Sequence, residues 1–225
     1  MNKFGNRNPG FGVRQFILMG LILALVGYWG PWVDHKAAAL VLSGLDMADF
    51  VKLLPGVRAG TERVVRELFY LPPLAAALCL ALLALTPSLW GHGGHPRWAR
   101  AIVLAVAVLL APVVLPPYPS VLRALWSPEL RWQLAASVLC LLLIGMGLCR
   151  RPSASLAAWL MVALALAGAI LPPWQFFSIR DALDQVYGQP IRVGWGLWLT
   201  VAGFLLVAAG AIGLLSKGEV SSTKS

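Results

Sequence analysis

Six uncharged apolar runs, at residues 16–33, 69–90, 101–117, 133–149, 154–173 and 193–215, are separated by polar stretches. Each is about 17 to 23 residues long, close to the roughly 20 that a helix needs to cross about 30 Å of hydrocarbon. A helix satisfies its own backbone polar groups there, which an isolated strand does not. The pattern predicts an all-α integral membrane protein, a six-transmembrane-helix bundle forming a single polytopic domain over residues 1–225.

One polar excursion is long, the segment 34–68. Its periodicity predicts two short amphipathic helices. In the first, Asp46 is the expected cap, Met47, Phe50, Val51 and Leu54 share a face, and Pro55-Gly56 ends the helix. In the second, Thr61 is the expected cap and Val64, Val65, Leu68 and Phe69 form an apolar stripe. Glu62 faces Arg66 and Arg63 faces Glu67 at four-residue spacing. Pro72-Pro73 is expected to bend the join to the second span, and Pro116-Pro117 and Pro172-Pro173 to end later ones. The stretches Leu115-Pro116-Pro117-Tyr118 and Leu171-Pro172-Pro173-Trp174, each followed by an arginine (Arg123, Arg180), echo one another, as a duplicated helical hairpin would.

Composition agrees with a lipid surroundings: 59% of the 225 residues are hydrophobic and 12% charged, too little charge to cover a soluble exterior. The net charge of +9 is spread around the spans and not gathered on one face, which argues against a nucleic-acid partner. Sorted by the six spans, one side carries nine basic residues and one acid, and the other nine basic and eight acidic ones. The more basic side is expected to be cytoplasmic, with both termini inside, in a bacterial-type cytoplasmic (inner) membrane. Bulky Tyr28, Trp29, Pro31 and Trp32 follow the first run where a signal peptide would carry small residues, so that run reads as a retained anchor. Tyrosines and most tryptophans gather near the span ends, as interfacial rings do.

The runs as bounded contain no Asp, Glu, Lys, Arg or His, which argues against coupling by intramembrane protonation and against haem held between spans. His92 and His95 sit in a glycine-rich turn, too few ligands for zinc. Asp34-His35-Lys36 is an acid–base cluster without a nucleophile motif, and no phosphate loop, HExxH or GxSxG occurs. Cys79, Cys140 and Cys149 lie in apolar runs as small hydrophobes. No catalytic, cofactor or metal site is expected, and the expected partners are the bilayer and a membrane-protein subunit. Gly196, Gly203 and Gly210 recur every seven residues, as do Gly20 and Gly27, which predicts faces for close helix approach, by default within the chain.

The leading reading is a non-enzymatic accessory or structural subunit of a membrane complex, with segment 34–68 as an exterior lid or docking surface. Its candidate ligand or partner surface is Trp29, Trp32, Asp34, His35, Phe50, Trp174, Arg180, Arg192, Trp195 and Trp198. The alternative is a small-molecule-capturing component of a transporter with a site near the outer surface. In size and topology the chain is similar to the substrate-binding subunits of energy-coupling-factor importers, a likeness of fold without a motif. A second alternative is a membrane enzyme acting on lipid-linked substrates.

Overall fold

The computed structural model describes residues 10–35, 40–61, 63–87, 97–115 and 130–222, with side chains between 12 and 216. Expectations for Glu62, His92, His95, Trp90, Tyr118, Arg123 and Trp126 lie outside these ranges. In chain order the elements are α1 (Gly10–Trp29), β1 (Pro31–Asp34), β2 (Leu42–Ser43), α2 (Gly44–Phe50), α3 (Pro55–Arg58), α4 (Leu71–Leu85), α5 (Arg97–Leu110), α6 (Arg131–Cys149), α7 (Ala154–Ser178), α8 (Arg180–Tyr187), β3 (Arg192–Val193) and α9 (Trp195–Ser222). Short 3-10 turns at Val51–Leu53, Arg66–Tyr70 and Ala111–Val114 extend their neighbours.

Six helical segments, those built on α1, α4, α5, α6, α7 and α9, are long and apolar enough to cross a bilayer. The chain is a polytopic integral membrane protein. α4 is the centre of the bundle: 78% of its span is buried, against 22% for α5 and for α6. α1 packs on α9, α9 on α7, α7 on α4, and α4 on α5 and α6.

The α1–α9 contact is backbone on backbone. A Cβ on Gly20 would lie 2.7 Å from the Gly203 carbonyl oxygen, and one on Gly196 would lie 2.6 Å from that of Gly27. Gly210 meets the Ile17 side chain. Only glycine permits this approach, and the gain is dispersion along the whole face. Thr200 bonds its own helix at the Gly196 carbonyl, 2.9 Å away.

The α5–α6 contact is made differently. α5 ends in the 3-10 turn that contains Pro112, and helix ends leave carbonyls without partners. Gln133 Nε2 donates to the Val114 carbonyl and Ser137 Oγ to that of Ala111. Side chains of α6 thus satisfy the broken end of α5.

The structure departs from the sequence pattern in four places. α1 starts at Gly10, so its apolar window from Gly12 includes Arg14, which is 6% exposed; a long aliphatic stem lets a guanidinium enter a helix bundle near its end. Ser43, not Asp46, caps α2: Asp46 is the third residue of a capping box, its carboxylate accepting from the Ser43 amide at 3.0 Å. The extension of α2 does stop at Leu53, with Leu54 extended before Pro55 as expected; Pro55 also opens α3, because the first helical turn needs no amide hydrogen there. The helix expected from Thr61 does not form; Thr61 Oγ1 instead donates to the Gly56 carbonyl at 3.0 Å, and regular structure resumes only with the 3-10 turn at Arg66. α7 runs through Pro172 and Pro173 to Ser178, with both prolines buried, which offsets the lost amide bonds.

One element has no counterpart in an all-α expectation. β2, β1 and β3 form a three-stranded antiparallel sheet in that order. Val33 pairs with Val193 and Asp34 with Arg192. The sheet ties the start of the 34–68 segment to the turn before α9.

Candidate functional site

The described residues of the 31–70 segment and the α8–β3 turn together make a cap on one end of the bundle. Its centre is Trp32, fully buried. β1 leaves α1 after Gly30 and buries both Trp32 and Val33; Trp32 Nε1 donates to the Gly27 carbonyl at 3.2 Å. Tyr28, Phe69 and Phe176 meet the indole edge-on, with ring centroids 6.3, 6.1 and 6.1 Å away, the arrangement that aromatic quadrupoles favour. Gly44, the first residue of α2, lies against the Tyr28 and Trp32 rings; a Cβ there would come 2.7 Å from Tyr28. Met47, Ala48, Val51 and Leu54 are buried beneath α2 and its extension. Among the described residues, these side chains pack against one another beneath the cap.

The irregular stretch before the Arg66 turn is held from across the bundle. Gln175 of α7, buried, accepts the Val65 amide at 3.3 Å and donates to Ser178 Oγ at 2.8 Å. Arg66 pairs with Glu67 at 3.4 Å through Nε. Among the described residues, its Nη1 and Nη2, like the buried Tyr28 and Tyr70 hydroxyls, have no hydrogen-bond partner.

Beside this packed centre lies a polar cleft of about 280 Å³, lined by Asp34, His35, Tyr187, Gln189, Pro190, Ile191 and Arg192. The β1–β3 pairing sets Asp34 opposite Arg192. α8 ends at Gly188 in the left-handed conformation, φ 65°, which glycine adopts at little cost and which turns the chain back toward β3. Asp184 fastens that turn by accepting the Ile191 amide at 2.7 Å. The His35 and Gln189 side-chain nitrogens lie 2.7 Å apart. The His35 ring tilts against Tyr187, which also meets Phe50 and donates to the Leu40 carbonyl at 2.8 Å. Partial burial pushes the Tyr187 phenol above its ordinary pKa, so it is a neutral donor at physiological pH. The cleft offers a carboxylate, an imidazole and a guanidinium for a small polar ligand. Its one lining hydroxyl among the described residues is the Tyr187 phenol.

Of the residues singled out from sequence, the structure gathers Asp34, His35 and Arg192 in this cleft, with Phe50 behind it. Trp32 is in the packed centre. Trp29, Trp174, Trp195 and Trp198 are exposed on the bundle's flanks and do not converge on one cavity; Trp29 and Trp195 share a shallow apolar groove with Pro31, and Trp198 lies against Phe177. Arg180, at the start of α8, is half-buried. The glycines Gly20, Gly27, Gly196, Gly203 and Gly210 lie at the α1–α9 contact. Tyr187, one of the tyrosines near the span ends, and Gln189 complete the cleft without a sequence signal that places them there. Tyr187-Gly188 does carry a helix-end signal, but nothing local joins it to residue 35. Among the described residues no group of three or more His, Cys, Asp or Glu side chains could hold a metal ion.

The fold therefore defines a polytopic helical membrane protein with a folded cap on one end. Compared with protein-family models, curated proteins and solved structures, the chain matches none.

Proposed function

We propose that the chain is a non-enzymatic, bacterial-type inner-membrane protein that serves as an accessory subunit of a larger membrane complex. Its termini face the cytoplasm and its cap lies outside as a docking surface. The observation that carries this reading is the packed centre under the cap, where Trp32 meets Tyr28, Phe69 and Phe176 and leaves no room between these rings for a ligand. Two apolar residues of the cap segment, Leu53 and Val65, are exposed, and an exposed apolar surface outside the spans favours a protein partner. The concentration of basic residues at the opposite end supports the orientation.

Co-purification from mild detergent tests this. Wild-type chain is expected to retain a partner that Leu53→Asp with Val65→Asp loses while the bundle stays folded. A strictly monomeric wild-type species refutes it. Reporter fusions after residues 58 and 222 test the orientation, with cytoplasmic activity expected only for the second.

A second reading is favoured by the polar cleft: a component that captures a small polar solute between Asp34, His35 and Arg192 at the outer surface. Ligand-dependent quenching of tryptophan fluorescence that Arg192→Ala removes would support it over the first.

A further inference from the structure

At the end of the bundle opposite the cap, α4, α6 and α7 diverge and leave an apolar groove of about 480 Å³. That lies within the roughly 300–1,000 Å³ typical of sites that hold small organic ligands. Its walls include Leu78 and Leu82 of α4, Leu143 of α6, and Leu156, Leu160 and Leu164 of α7. Its mouth is the α6–α7 turn, which contributes Arg150, Arg151 and Ser153. The turn is ordered by sequence: the Arg150 amide closes α6 onto the Met146 carbonyl at 2.8 Å, Pro152 interrupts the helix, and Ser153 Oγ caps α7 by accepting the Leu156 amide at 3.3 Å.

Two charges and a helix start thus stand over an apolar trough. The positive end of the α7 dipole adds to the arginines. Neither Arg150 nor Arg151 has an acidic partner within ion-pair distance among the described residues. The acids whose side chains are described, Asp34, Asp46, Asp49, Glu67, Asp181 and Asp184, all belong to the cap end. Arg14, Arg97 and Arg100 add to the positive field at the groove's end of the bundle.

We infer that this groove is a binding site for one anionic phospholipid. The headgroup phosphate lies between Arg150, Arg151 and the start of α7, and an acyl chain lies along the leucines. Charge complementarity selects the headgroup, as in other basic sites between spans. The leucine walls select a lipid over a free anion, since each buried methylene adds to the binding. A fork of guanidinium donors suits phosphate oxygens better than a point charge would. The site does not depend on the docking role of the cap.

The test uses the detergent-purified full-length chain, stripped of lipid and incubated with phosphatidylglycerol, phosphatidylcholine of the same acyl chains, or glycerol 3-phosphate. Bound species are counted by native mass spectrometry. Phosphatidylglycerol is expected to be retained about tenfold or more over phosphatidylcholine, with no retention of glycerol 3-phosphate. Arg150→Ala with Arg151→Ala is expected to abolish the preference; both residues are exposed, so folding in detergent is unaffected. Leu160→Trp, which fills the groove and leaves the arginines, lowers retention of both lipids. Equal retention of the two lipids, an unchanged preference in the double variant, or binding of glycerol 3-phosphate as tight as that of the lipid would each overturn the assignment.

Discussion

The α1–α9 contact and the α5–α6 contact hold the same bundle together by opposite means. Between α1 and α9 the side chains are removed: Gly20, Gly27, Gly196 and Gly203 bring main chain against main chain. Between α5 and α6 the side chains do the joining, with Gln133 and Ser137 reaching carbonyls that the end of α5 leaves open. The first contact relies on shape and tolerates no added atom. The second relies on two polar groups and leaves most of both helices exposed. In lipid, where apolar burial gives little drive for helices to associate, these are the two available means of adhesion. Their placement divides the bundle into a tight side beneath the cap and a looser side around α5 and α6.

Substitutions can break or sharpen this contrast. The largest effect is expected at the top of the tight side: Trp32→Ala removes the ring on which Tyr28, Phe69 and Phe176 converge, for a loss of about 3–5 kcal/mol, read as a lowered thermal midpoint in detergent. Next is Gly203→Leu, whose Cβ would fall within 2.6 Å of the Gly20 carbonyl oxygen; backbone cannot swing aside, so about 3 kcal/mol is expected. Gly145→Leu on α6 is the matched control. A Cβ at Gly145 meets nothing within 4 Å, and its helix propensity improves, so stability holds or rises by up to about 1 kcal/mol. If the two glycine substitutions cost the same, the contrast fails. The smallest loss is expected for Gln133→Leu, which strips the Val114 carbonyl of its donor, for about 1 kcal/mol. Hydrogen exchange should quicken at the end of α5 and stay unchanged in α1.

The sequence discloses these regions unequally. The spans are legible because twenty apolar residues in a row have few other physical explanations. The seven-residue glycine spacing is also visible, since it places those residues on one face of a helix whatever lies opposite. The cap is harder. Its α2 stripe of Met47, Val51 and Leu54 follows the helical period, yet both Ser43 and Asp46 are good capping residues, and only the reciprocal bonds between them decide which is the cap. The β1–β3 pairing leaves no trace, because Arg192–Val193 is too short to alternate and its partner lies about 160 residues away. For the same reason the polar cleft could be glimpsed as Asp34 and His35 but not completed with Tyr187 and Gln189. Pro172-Pro173 misleads in the other direction: two prolines end most helices, but a tightly packed bundle carries α7 through them.

The α1–α9 zipper also has a consequence in time. Gly20 and Gly203 are separated by about 180 residues, so at a synthesis rate of roughly 5–20 residues per second the first helix waits some 10 to 35 s for its mate. During that interval its glycine face is bare, and β1 has no β3 to pair with. α9, made long after α1, is therefore the keystone of this contact. The nascent protein is most vulnerable to quality-control proteases in the interval before α9 is made.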